Sequence, residues 1–391
     1  MRKIMEGSMA VAEAVALCRP NVISAYPITP QTHIVENLSQ MVADGKLKAV
    51  SVNVESEHSA ASVVLGASLT GARAYTATTS QGLLLMGEVV FNIAGMRAPV
   101  VMTCANRAVS APINIWNDQQ DSLSLRDAGW IQMYAENNQE TADMHIQAFR
   151  LGEDPRISLP VMVCMDGFVL THCMEAADLP EQGKVDQFLP PYRPEEYLSV
   201  QNPLSFGPLM DPNYYAETRY AIHQTLREAI PIITEIAAEF ERLFGRRSGG
   251  LLEAYRTEGA DRVIVALGSI AGNVKEVIDE MRDQGQRVGL VRLITYRPFP
   301  ARAVIEALSE AKSVAVLDKD ISLGYEGALA TDLRSAFYGQ RHQPMIRGFV
   351  LGLGGRGVPK ATIREVFDKL NEGPAEVDFI DVNPEVKAQQ A

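Results

Sequence analysis

Two blocks in which short β-branched runs alternate with longer helix-patterned segments restrict the fold of this 391-residue chain more than any other feature. In the first block, up to about residue 165, the longer segments carry apolar residues at helical spacing. This alternation predicts an α/β fold of the doubly wound kind, a parallel sheet covered by helices. The strands are predicted at residues 21–25, 49–53, 74–78, 99–104 and 159–164, and the helices at residues 9–17, 31–42, 57–69, 81–93 and 140–151.

A proline-rich stretch separates the two blocks. Six prolines between residues 190 and 212 remove backbone donors and disfavour helix, so we expect residues 178–212 to form an extended arm over a surface or a neighbouring subunit. Residues 216–244 are predicted to form a long helix, interrupted or kinked at Pro231, and residues 246–250 a linker.

The second block predicts a small parallel-sheet domain of its own. The predicted domains are therefore residues 1–250, with the arm and the long helix, and residues 255–391. In the second domain strands are expected at 262–269, 287–295, 313–320 and 345–352, and helices at 274–282, 301–311, 327–337 and 363–370.

Composition excludes several classes of protein. A chain of this length with 47% hydrophobic residues can bury two or three cores. The net charge of −12 argues against nucleic-acid binding, which needs a basic face. Glu6 and Glu13 interrupt the first apolar run, so we expect neither a signal peptide nor a membrane span, and a cytoplasmic location.

The four cysteines lack CxxC spacing, so we expect them to be small core residues and not the ligands of an iron–sulfur or zinc site. These cysteines are Cys18, Cys104, Cys164 and Cys173.

The segment Tyr26-Pro-Ile-Thr-Pro30 follows the first predicted strand. It lies at the carboxyl end of the sheet, where open α/β proteins bind ligands, and the Thr29 hydroxyl is placed to contact a substrate there. Thr29-Pro30 also fits the start of the next helix, with Thr as N-cap and Pro in the first turn. The two interpretations are compatible.

Two other polar segments follow predicted strands. Glu55 and Glu57 open a helix, where carboxylates stabilise the first turn without any catalytic role. Arg107 is the only arginine of a long polar loop and is suited to bind a fixed carboxylate. A surface ion pair between Arg107 and Asp118 or Asp121 is the alternative.

Three local patterns carry no function in this context. The glycines of residues 352–357 satisfy GxGxxG but precede only the last helix, without a following β unit for a dinucleotide. Residues 78–82 lack the first glycine of a nucleophile elbow and predict a helix-opening turn. Asp166-Gly167 has no partner asparagine for a metal–diphosphate loop and predicts a turn.

Taken in order, eight segments resemble the alpha subunits of pyruvate:ferredoxin oxidoreductases, and the resemblance covers nearly the whole chain. It implies a transketolase-like thiamine-diphosphate-binding pyrimidine domain followed by a smaller transketolase C-terminal-like α/β domain. The segments are YPITP, the Ser-Glu pair of ESEH, TSQGLLLM, ANRAVSAPINIWNDQQD, MDGF, FLPPY, the loop at Gly268 and DKDISLGYEGAL.

The resemblance also implies roles for individual residues. Glu57, rather than Glu55, matches the family carboxylate that hydrogen-bonds the aminopyrimidine ring and shares a proton with it. Thr29 matches a threonine beside substrate and cofactor, and Arg107 matches the arginine that receives the 2-oxoacid carboxylate. Asn117 and Asp118 are expected to order the same loop. The remaining expected contacts are Tyr26, Pro27 and Ile28 with substrate and Ser80 and Gln81 with cofactor.

The same resemblance predicts the reaction and its partners. Enzymes of this family decarboxylate a 2-oxoacid on thiamine diphosphate with Mg²⁺, form acyl-coenzyme A and reduce ferredoxin reversibly. The diphosphate and Mg²⁺ are expected mainly on a beta subunit, and 4Fe-4S clusters on partner subunits among beta, gamma and delta chains. This division explains why the chain lacks a metal–diphosphate motif and cluster cysteines.

Substrate choice is the remaining question at this level. The oxalate-specific branch of the family carries an arginine where this chain has Thr29, so a monocarboxylate is favoured. The segment NIWND resembles the corresponding segment of pyruvate enzymes more than that of enzymes specific for branched-chain 2-oxoacids. The open alternatives are another 2-oxoacid, such as a branched-chain acid or 2-oxoglutarate, and a non-catalytic assembly subunit.

Overall fold

The first part of the chain builds a seven-stranded sheet flanked by helices. The structure, a computed structural model, describes residues 2–375, 377–383 and 385–386. The elements of this part are β1 (Arg2–Glu6), α1 (Gly7–Leu17), β2 (Val22–Ala25), α2 (Thr32–Ala43), β3 (Val50–Asn53), α3 (Glu57–Leu69), β4 (Ala74–Thr78), α4 (Ser80–Leu85), α5 (Gly87–Gly95), β5 (Val101–Asn106), α6 (Gln120–Ser124), β6 (Ile131–Tyr134), α7 (Asn138–Gly152), β7 (Val161–Asp166), β8 (Met174–Asp178), α8 (Gln182–Phe188) and α9 (Tyr215–Phe244).

The second part builds a six-stranded sheet, again with helices on its faces. Two short 3₁₀ helices cover Leu353–Gly355 and Leu370–Glu372. The other elements are β9 (Leu252–Tyr255), β10 (Arg262–Leu267), α10 (Ile270–Asp283), β11 (Val288–Leu293), β12 (Thr295–Arg297), α11 (Ala301–Ala307), β13 (Ser313–Asp318), α12 (Ala328–Phe337), β14 (Met345–Val350), α13 (Lys360–Lys369) and β15 (Asp378–Phe379).

The strand order of the first sheet creates one switch point. The order is β12-β6-β7-β5-β4-β2-β3, and all neighbours pair in parallel except the antiparallel pair of β12 and β6. From β2 the chain moves to β3 on one side and then crosses to β4 on the other. The loops that leave β2 and β4 therefore diverge, which opens a crevice at the carboxyl ends of these strands.

The two sheets share packing and are not independent layers. β12 belongs to the second part of the chain but adds the edge strand to the first sheet. One hydrophobic core contains residues of both parts, and in it the rings of Tyr134 and Tyr296 meet edge to face at 6.2 Å. The second sheet, of order β15-β14-β13-β10-β11-β9, has a further core on its other side. The predicted division into domains 1–250 and 255–391 stays a prediction. Residues 387–391 of the second predicted domain lie outside the described residues.

Several sequence predictions need correction. The region predicted as one helix at 81–93 forms two helices, α4 and α5, which meet at Met86. The arm predicted as extended contains α8, although residues 189–214 have no regular helix or strand. The long helix α9 runs through Pro231 without interruption. The pairing of β1 with β8 and the strand β6 were not predicted, because these runs are short and weakly patterned.

The strand positions β2, β3, β4, β5 and β7 confirm the predictions for the first block. None of the helices in the described part of the chain has both the length and the apolar content that crossing a bilayer requires.

A buried ion pair joins the two parts of the chain. The Arg292 guanidinium on β11 donates from Nη1 and Nη2 to the two carboxylate oxygens of Glu140 on α7, at 2.8 and 2.9 Å. The Arg292 side chain is 5% exposed, and it also lies 2.9 Å from Glu253. If the two sheets moved apart, each buried charge would lose its partner, and this cost favours the observed orientation of the sheets.

Removal of the Arg292 charge is expected to destabilise the chain strongly. Arg292→Met leaves Glu140 buried without its cation, so the free energy of unfolding should fall by about 3–5 kcal/mol. Urea unfolding of the full chain, followed by tryptophan fluorescence, measures the loss. Arg302→Ala removes the surface pair with Glu306, whose side chains are 93% and 65% exposed, and should cost only about 0.5 kcal/mol. Equal effects of the two substitutions would contradict the role of the buried pair.

Candidate active site

The loops after β2, β3, β4 and β5 meet at the switch point of the first sheet. Thr29 follows β2, Glu57 begins α3 after β3, Ser80 begins α4 after β4, and Arg107 follows β5. The topology therefore gathers four of the predicted site residues at one edge of the sheet. Their local contacts decide what each of them is able to do.

Arg107 is buried and has no carboxylate partner among the described residues. Its side chain donates from Nε to the Asn114 carbonyl and from Nη1 to the Thr29 carbonyl, both at 2.9 Å. The residue is only 6% exposed, and burial lowers the pKa of its guanidinium while the charge of Asp121 acts in the opposite direction. The predicted alternative of a surface ion pair with Asp118 or Asp121 is wrong. Nη2 donates to no described residue, which leaves this edge of the cation for an anionic ligand.

Thr29 is exposed and does not cap the following helix. α2 begins at Thr32 with Gln31 as its N-cap, and no side chain accepts a capping hydrogen bond. The capping interpretation of Thr29-Pro30 is therefore wrong, and the interpretation as a ligand contact stays a prediction. The Thr29 carbonyl is used to hold Arg107, so the two residues are fixed relative to each other.

Glu57 is buried at the first position of α3, whereas Glu55 is exposed. Ser56 caps this helix by accepting from the Ser59 amide at 3.2 Å, and the Ser59 hydroxyl donates to Glu55. Glu57 is 7% exposed, yet no donor among the described residues hydrogen-bonds to its carboxylate. A carboxylate that no protein donor engages at this crevice is free to accept a hydrogen bond from a ligand.

Gly82 makes room for the Glu57 carboxylate. A Cβ atom at Gly82 would lie 2.7 Å from Glu57 Oε1 and 2.7 Å from Thr78 Oγ1. The Thr78 hydroxyl is itself buried without a partner in the described structure. The glycine is therefore required by the close approach of α4 to the start of α3.

Ser80 and Gln81 connect α4 to the loop that carries Arg107. Ser80 has a positive φ of 50°, which is strained for a serine, and its hydroxyl donates to the Ala108 carbonyl at 2.5 Å. Gln81 donates to the Ser110 hydroxyl. The prediction of a helix-opening turn at residues 78–82 is confirmed. A cofactor contact of Ser80 or Gln81 stays a prediction.

Asp121 holds these segments together, and sequence patterns gave no signal for this role. Its buried carboxylate accepts from the amides of Ser80 at 2.8 Å, Arg107 at 3.0 Å and Ser122 at 2.8 Å. The Asn106 side chain adds a fourth N–H group at 2.8 Å. Burial raises the pKa of Asp121, and these hydrogen bonds act against that rise. Asp121 thereby ties the start of α4 to the backbone of Arg107.

Asn117 is anchored between the two parts of the chain. Its side-chain amide donates to Asp166 at 3.1 Å, and its carbonyl oxygen accepts from the Lys319 ammonium. Asp166 is fully buried. Burial alone would raise the pKa of Asp166, but Lys319 and hydrogen bonds from Ser269 outweigh it and hold this pKa below the ordinary value. The turn predicted at Asp166-Gly167 is thus also a buried ionic anchor.

The glycines of residues 352–357 contact the same loop. The Gly354 amide donates to Asp118 Oδ2 at 3.1 Å, and the Gly355 amide donates to the Asn117 carbonyl at 2.5 Å. A Cβ at Gly355 would lie 2.3 Å from Trp116 Cβ, and Gly355 has a φ of 81°. These glycines are needed for close packing of the second sheet against the loop.

The described residues leave this edge of the sheet open. Tyr26, Pro27 and Thr29 are exposed, Ile28 is partly exposed, and Trp116 is 51% exposed. A cavity of about 590 Å³ lies elsewhere, under the arm, and includes none of the predicted site residues. The candidate site is therefore a crevice and not a closed pocket of this chain.

A parallel α/β sheet with a carboxylate and a guanidinium at its switch point, neither of which has an ionic partner among the described residues, is typical of a ligand-binding domain. Residues 13–238 match the family described as "Pyruvate flavodoxin/ferredoxin oxidoreductase, thiamine diP-bdg". Residues 260–363 match "Pyruvate:ferredoxin oxidoreductase core domain II". The chain belongs to the pyruvate flavodoxin/ferredoxin oxidoreductase family, and the predicted fold class is confirmed.

Curated relatives are similar over nearly the whole chain. The pyruvate synthase subunit PorA of Methanosarcina barkeri is 50% identical over 94% of this chain and 92% of its own length. The PorA subunit of Methanothermobacter thermautotrophicus is 47% identical over 98% and 99%. The ketoisovalerate oxidoreductase subunit VorA of Pyrococcus abyssi is 40% identical over 95% and 94%.

A solved structure shares the fold. The 2-oxoglutarate:ferredoxin oxidoreductase of Magnetococcus marinus, solved with 2-oxoglutarate, coenzyme A and succinyl-CoA, superimposes with a TM-score of 0.70 at 21% identity. The match covers 95% of this chain but 65% of that one, so this chain spans about two-thirds of its length. At this identity the likeness concerns the fold.

The environment of Asp118 predicts a pH dependence. Burial raises the pKa of Asp118 to about 7, against hydrogen bonds from the amides of Gln120 and Gly354. This pKa exceeds that of an unfolded aspartate, about 3.9, so the folded state binds more protons between about pH 4 and 7. The stabilising contribution of the protonated Asp118 is present below this window and is lost as the pH rises through 7.

Asp118→Asn should remove this contribution. The free energy of unfolding of the wild type, relative to Asp118→Asn, is expected to fall between about pH 4.5 and 7.5. Urea unfolding at a series of pH values measures the difference. Asp127→Asn, at a side chain that is 76% exposed, is the matched control for loss of one carboxylate. A difference that is constant with pH would refute the raised pKa.

Proposed function

We propose that this chain is the alpha subunit of a pyruvate:ferredoxin oxidoreductase that converts pyruvate and coenzyme A reversibly to acetyl-CoA and CO₂. The observation that carries the proposal is the pair of charged groups at the switch point, Glu57 and Arg107, that have no ionic partner among the described residues, in a chain of this family. The PorA relatives at 45–50% identity support pyruvate as the substrate. The more distant VorA relative supports ketoisovalerate less strongly.

Glu57 is the proposed contact of the aminopyrimidine ring of thiamine diphosphate. When bound, this cofactor supplies the carbanion chemistry that decarboxylation of a 2-oxoacid requires. The Glu57 carboxylate would accept a hydrogen bond from the aminopyrimidine ring, since no donor among the described residues occupies it. Gly82 and α4 would fix the carboxylate against the ring.

Arg107 is the proposed receptor of the substrate carboxylate. Backbone carbonyls hold Nε and Nη1, so the guanidinium is fixed and Nη2 would be free to donate to the substrate without the loss of an ion pair. Thr29, whose carbonyl holds Nη1, would place its hydroxyl beside the oxo group. Orientation of the carboxylate that leaves as CO₂ is a positioning contribution to the rate.

Partner subunits would complete the site. Ile113 and Trp116 are 81% and 51% exposed, and Leu323 and Tyr325 of the second part are 91% and 66% exposed. Apolar side chains of this size at a ligand crevice are typical of a surface that another chain covers. We propose that a beta subunit covers this edge and holds the diphosphate and Mg²⁺, and that gamma and delta subunits carry the 4Fe-4S clusters that pass electrons to ferredoxin. The arm, with Leu209 fully exposed, is proposed to contact another subunit.

Arg107→Ala should reduce oxoacid turnover without loss of assembly. Loss of a charge-assisted contact worth about 1.5–3 kcal/mol lowers kcat/KM for pyruvate by about 10- to 150-fold. Arg107→Lys keeps the positive charge but lacks the planar guanidinium with its fixed pair of donors, so it should recover only part of the rate. The measurement is viologen reduction by the reconstituted complex, with native mass spectrometry to confirm assembly.

The same assay tests the substrate. Pyruvate should give the highest kcat/KM in a panel with 2-oxoisovalerate, 2-oxoglutarate and oxalate, in the presence of coenzyme A.

Arg19→Ala, at an exposed ion pair with Asp186, is the control for loss of an arginine in the Arg107 experiment. Normal turnover by Arg107→Ala would contradict the proposal that Arg107 binds the substrate carboxylate. A higher kcat/KM for another oxoacid would contradict the proposal that pyruvate is the substrate.

Glu57→Gln is expected to lower kcat by about 100-fold or more, because the amide cannot take up a proton. Gly82→Ala should produce a similar loss, since its Cβ would lie 2.7 Å from Glu57 Oε1 and displace the carboxylate. Gly87→Ala is the matched control, because a Cβ there meets no atom within 4 Å. Undiminished turnover of Glu57→Gln in the assembled complex would show that another group performs this step.

A further inference from the structure

A second cluster of polar side chains lies beside the candidate active site and takes no part in the proposed reaction. Glu6 ends β1, His33 lies in the first turn of α2, and His172 lies in the turn between β7 and β8. The Glu6 carboxylate and the His33 Nδ1 atom are 2.7 Å apart. One ligand atom from each of the three residues lies within 4.8 Å of the others.

Two imidazoles and one carboxylate form a ligand set for divalent transition metals. In such sites nitrogen and oxygen ligands lie about 2.0–2.2 Å from the ion, so the ligand atoms are about 3–3.5 Å from one another. The side chains of His33 and Glu6 are 46% and 27% exposed and have space to adjust by the ångström that this requires. Three protein ligands leave further coordination positions open to water.

His172 is already oriented as a metal ligand would be. Its Nδ1 lies 2.7 Å from the Thr171 hydroxyl oxygen, which also accepts from the Phe168 amide at 2.8 Å. In the tautomer protonated at Nδ1, His172 donates to Thr171 and keeps the Nε2 lone pair free. This is the outer hydrogen bond that fixes a ligating histidine.

Two neighbouring rings hold His172 in place. Its ring lies 4.8 Å from the ring of Phe168 and 4.8 Å from that of His33.

We propose that Glu6, His33 and His172 bind one divalent transition-metal ion of the Zn²⁺ class. The ion would join β1, α2 and the turn after β7, and the last two of these lie next to the segment bearing Thr29. His33 is four residues from Thr29, and a Cβ at Gly167 would lie 2.7 Å from Pro30 Cγ. An ion at this position would therefore brace the Thr29 segment, and its binding does not depend on the proposed thiamine chemistry.

The experiment is titration of the chelator-treated full chain with Zn²⁺ in a calorimeter, repeated with Co²⁺ by absorbance. The wild type is expected to bind one ion per chain, with a Co²⁺ spectrum free of a sulfur-to-metal band. His33→Ala, His172→Ala and Glu6→Gln should each lower the affinity by at least about tenfold. Bound Zn²⁺ should slow amide hydrogen exchange in residues 28–34 and 167–173 of the wild type and not of His172→Ala.

Two matched controls separate this site from adventitious binding. His223 is an exposed histidine on α9, and Cys173 is an exposed thiol next to His172, so His223→Ala and Cys173→Ser should leave the affinity unchanged. Unchanged affinity in both His33→Ala and His172→Ala overturns the proposal. Loss of binding in Cys173→Ser, or absence of Zn²⁺ binding by the wild type, overturns it equally.

Discussion

The buried carboxylate of Asp121 is the interaction on which the geometry of the candidate site depends. Four N–H groups converge on it from the start of α4, the end of β5, the backbone of Arg107 and the start of α6. A carboxylate is tolerated in a fully buried position only when donors replace its water, and this number of donors meets that requirement. The positive φ of Ser80 and the position of Arg107 are then fixed by one charge.

The second sheet is a structural component of the same site. Lys319 contacts Asn117 and lies 3.6 Å from Asp166, and the amides of Gly354 and Gly355 hold the loop from the other side. The buried pair of Arg292 and Glu140 fixes how the sheets meet. The order of the loop that carries Arg107 therefore depends on contacts more than 200 residues away in sequence.

Local patterns in the sequence predicted the parts of the structure that local forces determine. The β-branched runs predicted the central strands of the first sheet, and the strand order places Thr29, Glu57, Ser80 and Arg107 at one edge. Two interpretations failed because tertiary contacts decide them: Thr29 does not cap α2, and Arg107 pairs with carbonyls and not with an aspartate. The packing of the glycines near residue 354 on a distant loop had no signal in their local pattern. Pro231 lies within an uninterrupted helix, because the buried face of α9 outweighs one lost hydrogen bond.

Two charged groups of the crevice have hydrogen-bonding capacity that no described residue uses. Glu57 has no hydrogen-bond donor and Arg107 has no carboxylate in the described structure, although each charge would stabilise the other if they paired. The Thr29 and Asn114 carbonyls hold the guanidinium, and the absence of a side chain at Gly82 leaves room for the carboxylate. Both groups therefore stay available to a ligand, Glu57 as a hydrogen-bond acceptor and Arg107 as a donor to an anion. Preorganised charges of this kind cost stability in the free chain and need no rearrangement when the ligands bind.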